Sequence, residues 1–96
     1  MKNPTKVERD YMSAVASLPC VVDGCGMTWV EIHHIRRFGE KRKHSKIAPL
    51  CVNHHRGVDG IHTLGKKEWE RRFMTQDAML LKTYEMLAER EQRRVV

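Results

Sequence analysis

The sequence lacks long hydrophobic runs and has few aromatic residues. No apolar segment approaches the roughly 18 residues needed to cross a bilayer, and the first residues, MKNPT, do not resemble the apolar centre of a secretion signal. We therefore expect neither a membrane protein nor a secreted one. Aromatic residues make up only 6% of the 96 residues, so we expect one small domain, residues 1–96, with a modest core.

Cysteine is also scarce, and its odd number argues against a disulfide framework. The chain has 3 cysteines, whereas small secreted domains usually carry an even number. It has 6 histidines, and every Cys and His residue falls between positions 20 and 62. A domain this small often needs a metal to hold it together, so this clustering predicts metal sites.

The N-terminal segment, residues 5–19, is predicted to be a helix. Thr5 and Glu8 have the spacing of a capping box, in which each side chain accepts a hydrogen bond from a backbone N–H group at the start of the helix. Pro19 is expected to end it. Apolar residues at helical spacing predict one buried stripe, made of Val7, Tyr11, Val15 and Leu18.

Residues 20–62 are predicted to form a core of two strands and a short helix. Residues 29–35 (WVEIHHI) are rich in β-branched and aromatic side chains, which is typical of a strand. Residues 47–50 (IAPL) are predicted to be a short edge strand, because Pro49 cannot donate a backbone hydrogen bond. Residues 51–58 follow as a candidate short helix.

Residues 63–92 are predicted to be helical. Trp69 and Phe73 lie one helical turn apart among charged residues, and Thr75 or Asp77 is expected to cap a last helix. The apolar side of that helix is predicted to carry Leu80, Tyr84 and Leu87.

Two close pairs of residues have the spacing of a structural zinc site. Four residues separate Cys20 from Cys25, and two separate Cys51 from His54. Pairs of this kind on turns let four side chains reach one ion in tetrahedral geometry. We expect this structural Zn²⁺ to supply much of the folding free energy. Two alternatives stay open: His55 replaces His54 as the fourth ligand, or the cysteines are simply buried thiols.

His33 and His34 are neighbours on the first predicted strand. Adjacent residues of a strand point to opposite faces, so the two are not expected to bind the same ion. One can hold a metal while the other takes a proton from water, since neutral imidazole is a good general base near neutral pH. This division suits a hydrolase. The alternative is that both histidines only satisfy buried polar groups.

Residues 31–35 (EIHHI), a basic loop and residues 49–55 (PLCVNHH) together resemble the HNH nucleases, also called ββα-metal or His-Me finger nucleases, that have a zinc-binding frame. In this family a strand delivers a metal ligand and an adjoining general-base histidine, and the following helix returns a further ligand. The resemblance implies that His33 binds the catalytic divalent ion, His34 activates water, and His55 returns to the ion.

The resemblance leaves the last ligand of the catalytic ion open. Members with three histidine ligands place it about one helical turn beyond His55, which here is Asp59. Residues 57–60 (GVDG) can act as an insertion that lets His62 take this role, or no third ligand exists. The family's middle Asn has no obvious counterpart, and His44 either takes over its orienting or phosphate-contacting role or is a solvated loop residue.

An ordered set of motifs over residues 5–81 is similar to the phage recombination-enhancement, RecA-dependent nucleases. It begins at Thr5 and Cys20 and includes EIHHIR, IAPLC, HHRG, GIH and WERRF. This similarity implies cleavage of RecA-bound DNA or a recombination intermediate, by a phage-encoded protein in the bacterial cytoplasm. The implied catalytic ion is Mg²⁺ or Mn²⁺, which would contact the scissile phosphate, and Zn²⁺ or Ni²⁺ can also occupy histidine ligands.

A basic block over residues 36–46 carries +5 of the formal net charge of +6, with Glu40 as its one acidic residue. Such a block beside a phosphate-cutting site is expected to contact the nucleic-acid backbone, with little sequence preference. The alternative is a solvated loop. The predicted DNA-binding residues are Arg36, Arg37, Lys41, Arg42, Lys43, His44 and Lys46.

The leading hypothesis is an α+β protein with a small zinc-stapled ββα-metal (HNH) core and flanking N- and C-terminal helices, acting as a metal-dependent DNA endonuclease. Its general base is His34. The structural zinc ligands are Cys20, Cys25, Cys51 and His54, and the ligands of the catalytic ion are His33, His55 and His62. Two other hypotheses are a zinc-stabilised DNA-binding module without catalysis and an adaptor for recombination or replication proteins.

Overall fold

Two strands and five helices make up the described part of the chain, residues 3–36 and 39–94 of the computed structural model, with side chains described up to residue 92. In chain order the elements are α1 (Lys6–Ala16), β1 (Val30–His34), β2 (Ile47–Cys51), α2 (Val52–Arg56), α3 (Ile61–Leu64), α4 (Lys66–Arg72) and α5 (Gln76–Arg94). The α+β class is confirmed. Among the described residues, no helix combines the length and hydropathy that crossing a membrane requires. The division of the chain after residues 19 and 62 stays a prediction.

The two strands form an antiparallel sheet at the centre of the fold. Ile32 lies opposite Pro49, and His34 lies opposite Ile47. Every residue of β2 is buried, which accounts for its uninterrupted apolar sequence, whereas His33 is the one buried residue of β1. The carbonyl of Pro49 accepts a hydrogen bond from the backbone N–H of Val21 at 2.9 Å. The segment that follows α1 therefore lies against β2.

Helix α1 begins with the predicted capping box but ends earlier than predicted. Thr5 Oγ1 accepts a hydrogen bond from the backbone N–H of Glu8 at 3.1 Å, and Glu8 Oε1 accepts one from the backbone N–H of Thr5 at 2.8 Å. The helix ends at Ala16 rather than at residue 19. The Ser17 hydroxyl donates to a carbonyl of the last turn at 2.7 Å, and such a local bond competes with continuation of the helix.

The predicted apolar stripe of α1 is wrong at its first position. Val15 and Leu18 are buried and Tyr11 is half-buried, but Val7 is 77% exposed. The first turn of α1 lies along a groove that Arg42 also lines, rather than over the sheet. Val7 consequently has no core to face.

Helix α5 packs on β2 with a face that includes the predicted Leu80 but is centred on Met79 and Thr83, one position earlier than predicted. Met79 and Thr83 are fully buried and Met86 is partly buried, whereas Tyr84 is 43% exposed. The sequence pattern treats Thr83 as polar, but its hydroxyl donates to the carbonyl of Met79 at 2.8 Å. A hydroxyl that is satisfied within its own helix can be buried at little cost.

Helix α4 and the start of α5 close the core around Trp69. Trp69 is fully buried, and its ring centroid lies 5.2 Å from that of Phe73, which ends α4. Thr75 is the predicted cap that the structure uses, because its Oγ1 accepts the backbone N–H of Ala78 at 3.1 Å. The buried residues of this core are Cys20, Val21, Val22, Ile35, Ala48, Leu50, Cys51, Ile61, Trp69 and Met79.

Candidate functional site

Cys20 and Cys25 lie in a tight turn between α1 and β1. The backbone N–H of Cys20 donates to the carbonyl of Met27 at 2.8 Å, and that of Cys25 donates to the carbonyl of Val22 at 3.1 Å. Gly24 has a φ of 78°, a backbone angle that residues other than glycine rarely adopt. The turn therefore depends on glycine at this point and brings the two thiols together.

Cys51 and His54 join this pair from the end of β2 and the first turn of α2. The four ligand atoms of Cys20, Cys25, Cys51 and His54 all lie within 4.8 Å of one another. The Sγ atoms of Cys25 and Cys51 are 3.8 Å apart, and Cys51 Sγ lies 3.1 Å from His54 Nδ1. A tetrahedral site with Zn–S bonds of about 2.3 Å has sulfur–sulfur edges of about 3.8 Å. The Cys₃His cluster therefore has the dimensions of a zinc site.

The chemistry of the Cys₃His cluster also fits a cation. All three cysteines are free thiols, and burial raises the pKa of Cys20 to about 12. A thiolate in an apolar site loses hydration, so burial favours the protonated form of Cys20. A metal cation bound by this cluster would supply the positive charge that stabilises cysteine thiolates.

A second cluster joins three histidines from three different elements. His33 on β1, His55 on α2 and His62 on α3 each place one ring nitrogen within 4.8 Å of the others. The Nε2 atoms of His55 and His62 are 3.1 Å apart, and the His33 ring centroid lies 5.4 Å from that of His55. This histidine trio therefore has the donor set and convergence needed to hold a metal ion.

Two members of the histidine trio are held in the neutral form that binds metals. Burial lowers the pKa of His33 to about 4. The pKa of His62 is lowered too, first by burial and then by the neighbouring His55. Near neutral pH both rings therefore keep a lone pair free for a cation.

Glu31 fixes the orientation of His55. Its carboxylate lies 2.8 Å from His55 Nδ1 and accepts bonds from Arg56 Nε at 3.0 Å and Arg56 Nη2 at 2.8 Å. The hydrogen bonds from Arg56, then from His55, lower the pKa of Glu31 to about 2. Since an ionised carboxylate can only accept, His55 Nδ1 carries the proton and its Nε2 faces the trio. The sequence alone gives Glu31 no role, although it lies two residues before His33 on the same face of β1.

His34 points away from the trio and towards the basic block. Its Nε2 lies 3.1 Å from Nδ1 of His44, and the ring is half-buried. Burial, followed by the charges of Arg42 and His44, lowers the pKa of His34. The imidazole is therefore neutral near pH 7, and it is held by a residue of the loop between the strands.

The alternative ligands named from the sequence lie elsewhere. Asp59 is 3.0 Å from the side-chain amide of Asn53, and its backbone N–H donates to the same side chain at 3.4 Å. It is not part of the trio. His55 belongs to the trio, whereas His54 belongs to the Cys₃His cluster. The two neighbours on α2 thus serve different clusters.

The basic block borders a groove beside α1. Arg36, Lys41, Arg42 and His44 line this groove of about 650 Å³ together with residues at the start of α1. Lys43 is exposed next to them, while Lys46 forms an ion pair with Glu40 at 3.2 Å. Arg37, predicted to bind DNA, lies outside the described residues.

The described residues define a small α+β protein with two groups of Cys and His side chains, each able to hold a metal ion. The family model for recombination enhancement, RecA-dependent nucleases matches residues 4–88, and the chain belongs to this family. Membership implies a nuclease that acts on DNA in recombination and depends on RecA. A comparison with curated proteins gave no match.

Proposed function

We propose that the protein is an HNH-type, metal-dependent endonuclease that hydrolyses phosphodiester bonds in DNA. The order β1, β2 and α2 supports this proposal, because it matches the ββα order expected of that type. The Cys₃His cluster is proposed to hold structural Zn²⁺, and the histidine trio is proposed to hold the catalytic ion, Mg²⁺ or Mn²⁺. When bound, that ion supplies positive charge at the scissile phosphate and the leaving oxygen.

The observation that carries this proposal is the opposite orientation of two neighbours on β1. His33 is buried in the trio with His55 and His62, while His34 lies beside His44 at 3.1 Å. A hydrolase of this kind needs one histidine on the ion and another next to it that stays free of the ion. Strand alternation provides both from consecutive residues.

We assign the role of general base to His34. Its lowered pKa keeps the ring neutral near pH 7, so it is able to accept a proton from water. The contact between His34 Nε2 and His44 Nδ1 leaves Nδ1 of His34 as the nitrogen available to the water. His44 then holds the ring in place, which is the orienting role that the middle Asn has in related nucleases.

The groove beside α1 is the proposed path of the DNA strand. Its basic side chains, with Lys43 next to them, offer positive charge close to His34. Contacts of this kind reach phosphates rather than bases, so we expect little sequence preference. The proposed substrate is DNA coated by RecA. We also propose that the protein is encoded by a phage and acts in the cytoplasm of a bacterial host.

Strand cleavage tests this function. We expect the wild type to cut RecA-coated DNA with Mg²⁺ or Mn²⁺, and we expect His34→Ala to be slower by at least about 100-fold, the usual contribution of a general base. Single-stranded and supercoiled DNA, naked and RecA-coated, are compared at equal bound zinc. Thr28→Ala, an exposed substitution just before β1, is the matched control and should cut as the wild type does.

Two results would contradict the proposal. Equal cleavage by the wild type and His34→Ala would remove His34 as the base. Binding of DNA by both proteins without any cleavage would favour the zinc-stabilised binding module instead.

A further inference from the structure

Gln76 is a buried polar residue that the metal clusters leave without a role. It is the first residue of α5, and only 7% of its surface is exposed. Its side-chain Oε1 lies 2.9 Å from Nε2 of His33, which is itself 5% exposed. A buried amide is costly unless it is hydrogen-bonded, so this contact accounts for a polar side chain inside the fold.

The position of Gln76 is fixed by its surroundings. Its backbone N–H donates to a carboxylate oxygen of Glu70 at 2.6 Å. Farther along α5, Met79 and Thr83 are fully buried against the core. The side chain therefore approaches His33 from a helix that cannot shift without disturbing the packing.

We propose that Gln76 is a positioning residue for the catalytic metal site: its side-chain carbonyl accepts the Nε2 proton of His33 and so leaves the Nδ1 lone pair of His33 for the divalent ion. This inference rests on the proposed role of the histidine trio. A neutral imidazole has one N–H and one lone pair, and a carbonyl oxygen can only accept. The partner of one ring nitrogen thus decides which nitrogen is free to bind a metal.

His55 is oriented in the same way, but its acceptor contacts the other ring nitrogen. Glu31 lies 2.8 Å from Nδ1 of His55, and the Nε2 atom on the other side of that ring lies 3.1 Å from His62. Two residues of the trio are therefore oriented by acceptors from outside it, a carboxylate in one case and an amide carbonyl in the other. The amide comes from the C-terminal helix, which the ββα unit itself does not contain.

The first part of the test reads the proton position directly, in protein that carries one zinc ion per chain, in the Cys₃His cluster, and has no added Mn²⁺. In ¹⁵N-histidine-labelled protein, long-range ¹H–¹⁵N spectra distinguish the two neutral forms of the ring. The His33 signals are those that disappear in His33→Gln. We expect the proton on Nε2 in the wild type and a mixture of both forms in Gln76→Met, whose side chain has a similar shape but no carbonyl. A wild-type ring with its proton on Nδ1 would overturn the proposal.

The second part measures binding of Mn²⁺ alone by calorimetry. We expect Gln76→Met to bind Mn²⁺ about 10- to 100-fold more weakly, the usual effect of losing a partner of a ligating histidine. Gln76→Glu keeps an acceptor and should restore both the affinity and the proton on Nε2. Thr83→Val removes another buried polar group from the same helix, about two turns beyond Gln76, and should bind Mn²⁺ as the wild type does.

The outcomes separate this inference from the proposed function. Mn²⁺ binding that is unchanged in Gln76→Met would overturn the role of Gln76 and leave the metal site intact. Failure of the wild type to bind Mn²⁺ would overturn the metal site itself. Weak binding in Gln76→Met without rescue by Gln76→Glu would indicate a purely structural residue and would also overturn the proposal.

Discussion

The buried imidazole of His33 connects the candidate metal site to the stability of the fold. Its pKa is about 4 in the folded chain because burial disfavours the charged ring, against about 6.5 in an unfolded chain. As the pH falls below about 6.5, the unfolded chain takes up this proton first, so the folded state loses stability. The loss continues down to the folded pKa of about 4. The stabilisation is complete above the higher value.

We therefore expect the free energy of unfolding to fall between pH 7 and pH 4.5 by about 3 kcal/mol at most from His33. Urea unfolding at both pH values, without added divalent ions, measures the change. His33→Gln carries no such proton, so its stability should fall less over the same range. Equal losses in the two proteins would show that His33 is not buried as a neutral ring.

At the level of residues, the sequence predicts those site residues that can be recognised from their spacing. The residues of the Cys₃His cluster and of the trio are recognisable because Cys and His occur in close pairs and are confined to residues 20–62. The role of Glu31 can be predicted only in part, because strand alternation places it on the same face as His33 but does not reveal its hydrogen-bond partners. Gln76 has no sequence signal. It approaches His33 across 43 positions of the chain, and only the packing of α5 on the sheet brings the two together.

Among the elements, the loop between β1 and β2 carries exposed basic side chains beside α1. Arg42 lines the groove beside α1, and Lys43 is exposed next to it. We expect Arg42→Ala with Lys43→Ala to reduce the slope of log affinity against log salt concentration by about 1 for each phosphate that the two side chains neutralise. Titration of labelled DNA at several salt concentrations measures this slope.

A charge-matched variant is the control for this prediction. Lys66→Ala with Lys67→Ala removes the same two charges from exposed positions of α4. Its salt slope should stay close to that of the wild type. If both double variants have the wild-type slope, the loop does not contact the backbone. If both lower it equally, net charge rather than the loop determines binding.

The elements themselves are mostly predictable, and the errors have local causes. The capping box of α1, both strands and the short helix after Cys51 are located correctly, because each depends on neighbouring residues. The predicted end of α1 is wrong because the Ser17 hydroxyl bonds back to the helix. On α5 the prediction holds for Leu80, which packs partly buried against the core, but Thr83 is buried in place of Tyr84 because it satisfies its hydroxyl within the helix. Both errors concern polar groups whose partners lie on the backbone.

For the molecule as a whole, the Cys₃His cluster is expected to decide whether the chain folds. Structural zinc sites in small domains bind with apparent free energies of about 10–16 kcal/mol, and small domains are stable by about 5–15 kcal/mol in total. We therefore expect a strong chelator to abolish most of the helical circular dichroism and zinc addition to restore it. Retention of the full signal after verified zinc loss would contradict the structural role of this cluster.

A single cysteine substitution tests the structural role of the Cys₃His cluster without a chelator. Cys51→Ser removes one thiolate from the cluster with little change in side-chain volume. It should lower both the zinc content and the helicity. Removal of Mg²⁺ alone should leave the fold intact, since the trio is a separate group of ligands. Unfolding on Mg²⁺ removal would mean that the trio, rather than the Cys₃His cluster, holds the fold together.

The adjacency of His54 and His55 on α2 bears on when the protein becomes active after its synthesis. Consecutive residues of one short helix belong to the two clusters, so the helix cannot be aligned for one metal and misaligned for the other. If both clusters hold metals, we expect a chain that has not acquired its zinc to lack a working arrangement at the histidine trio as well. A DNA-cutting enzyme built in this way would be harmless while it is being synthesised, and its destructive capacity would begin only with maturation.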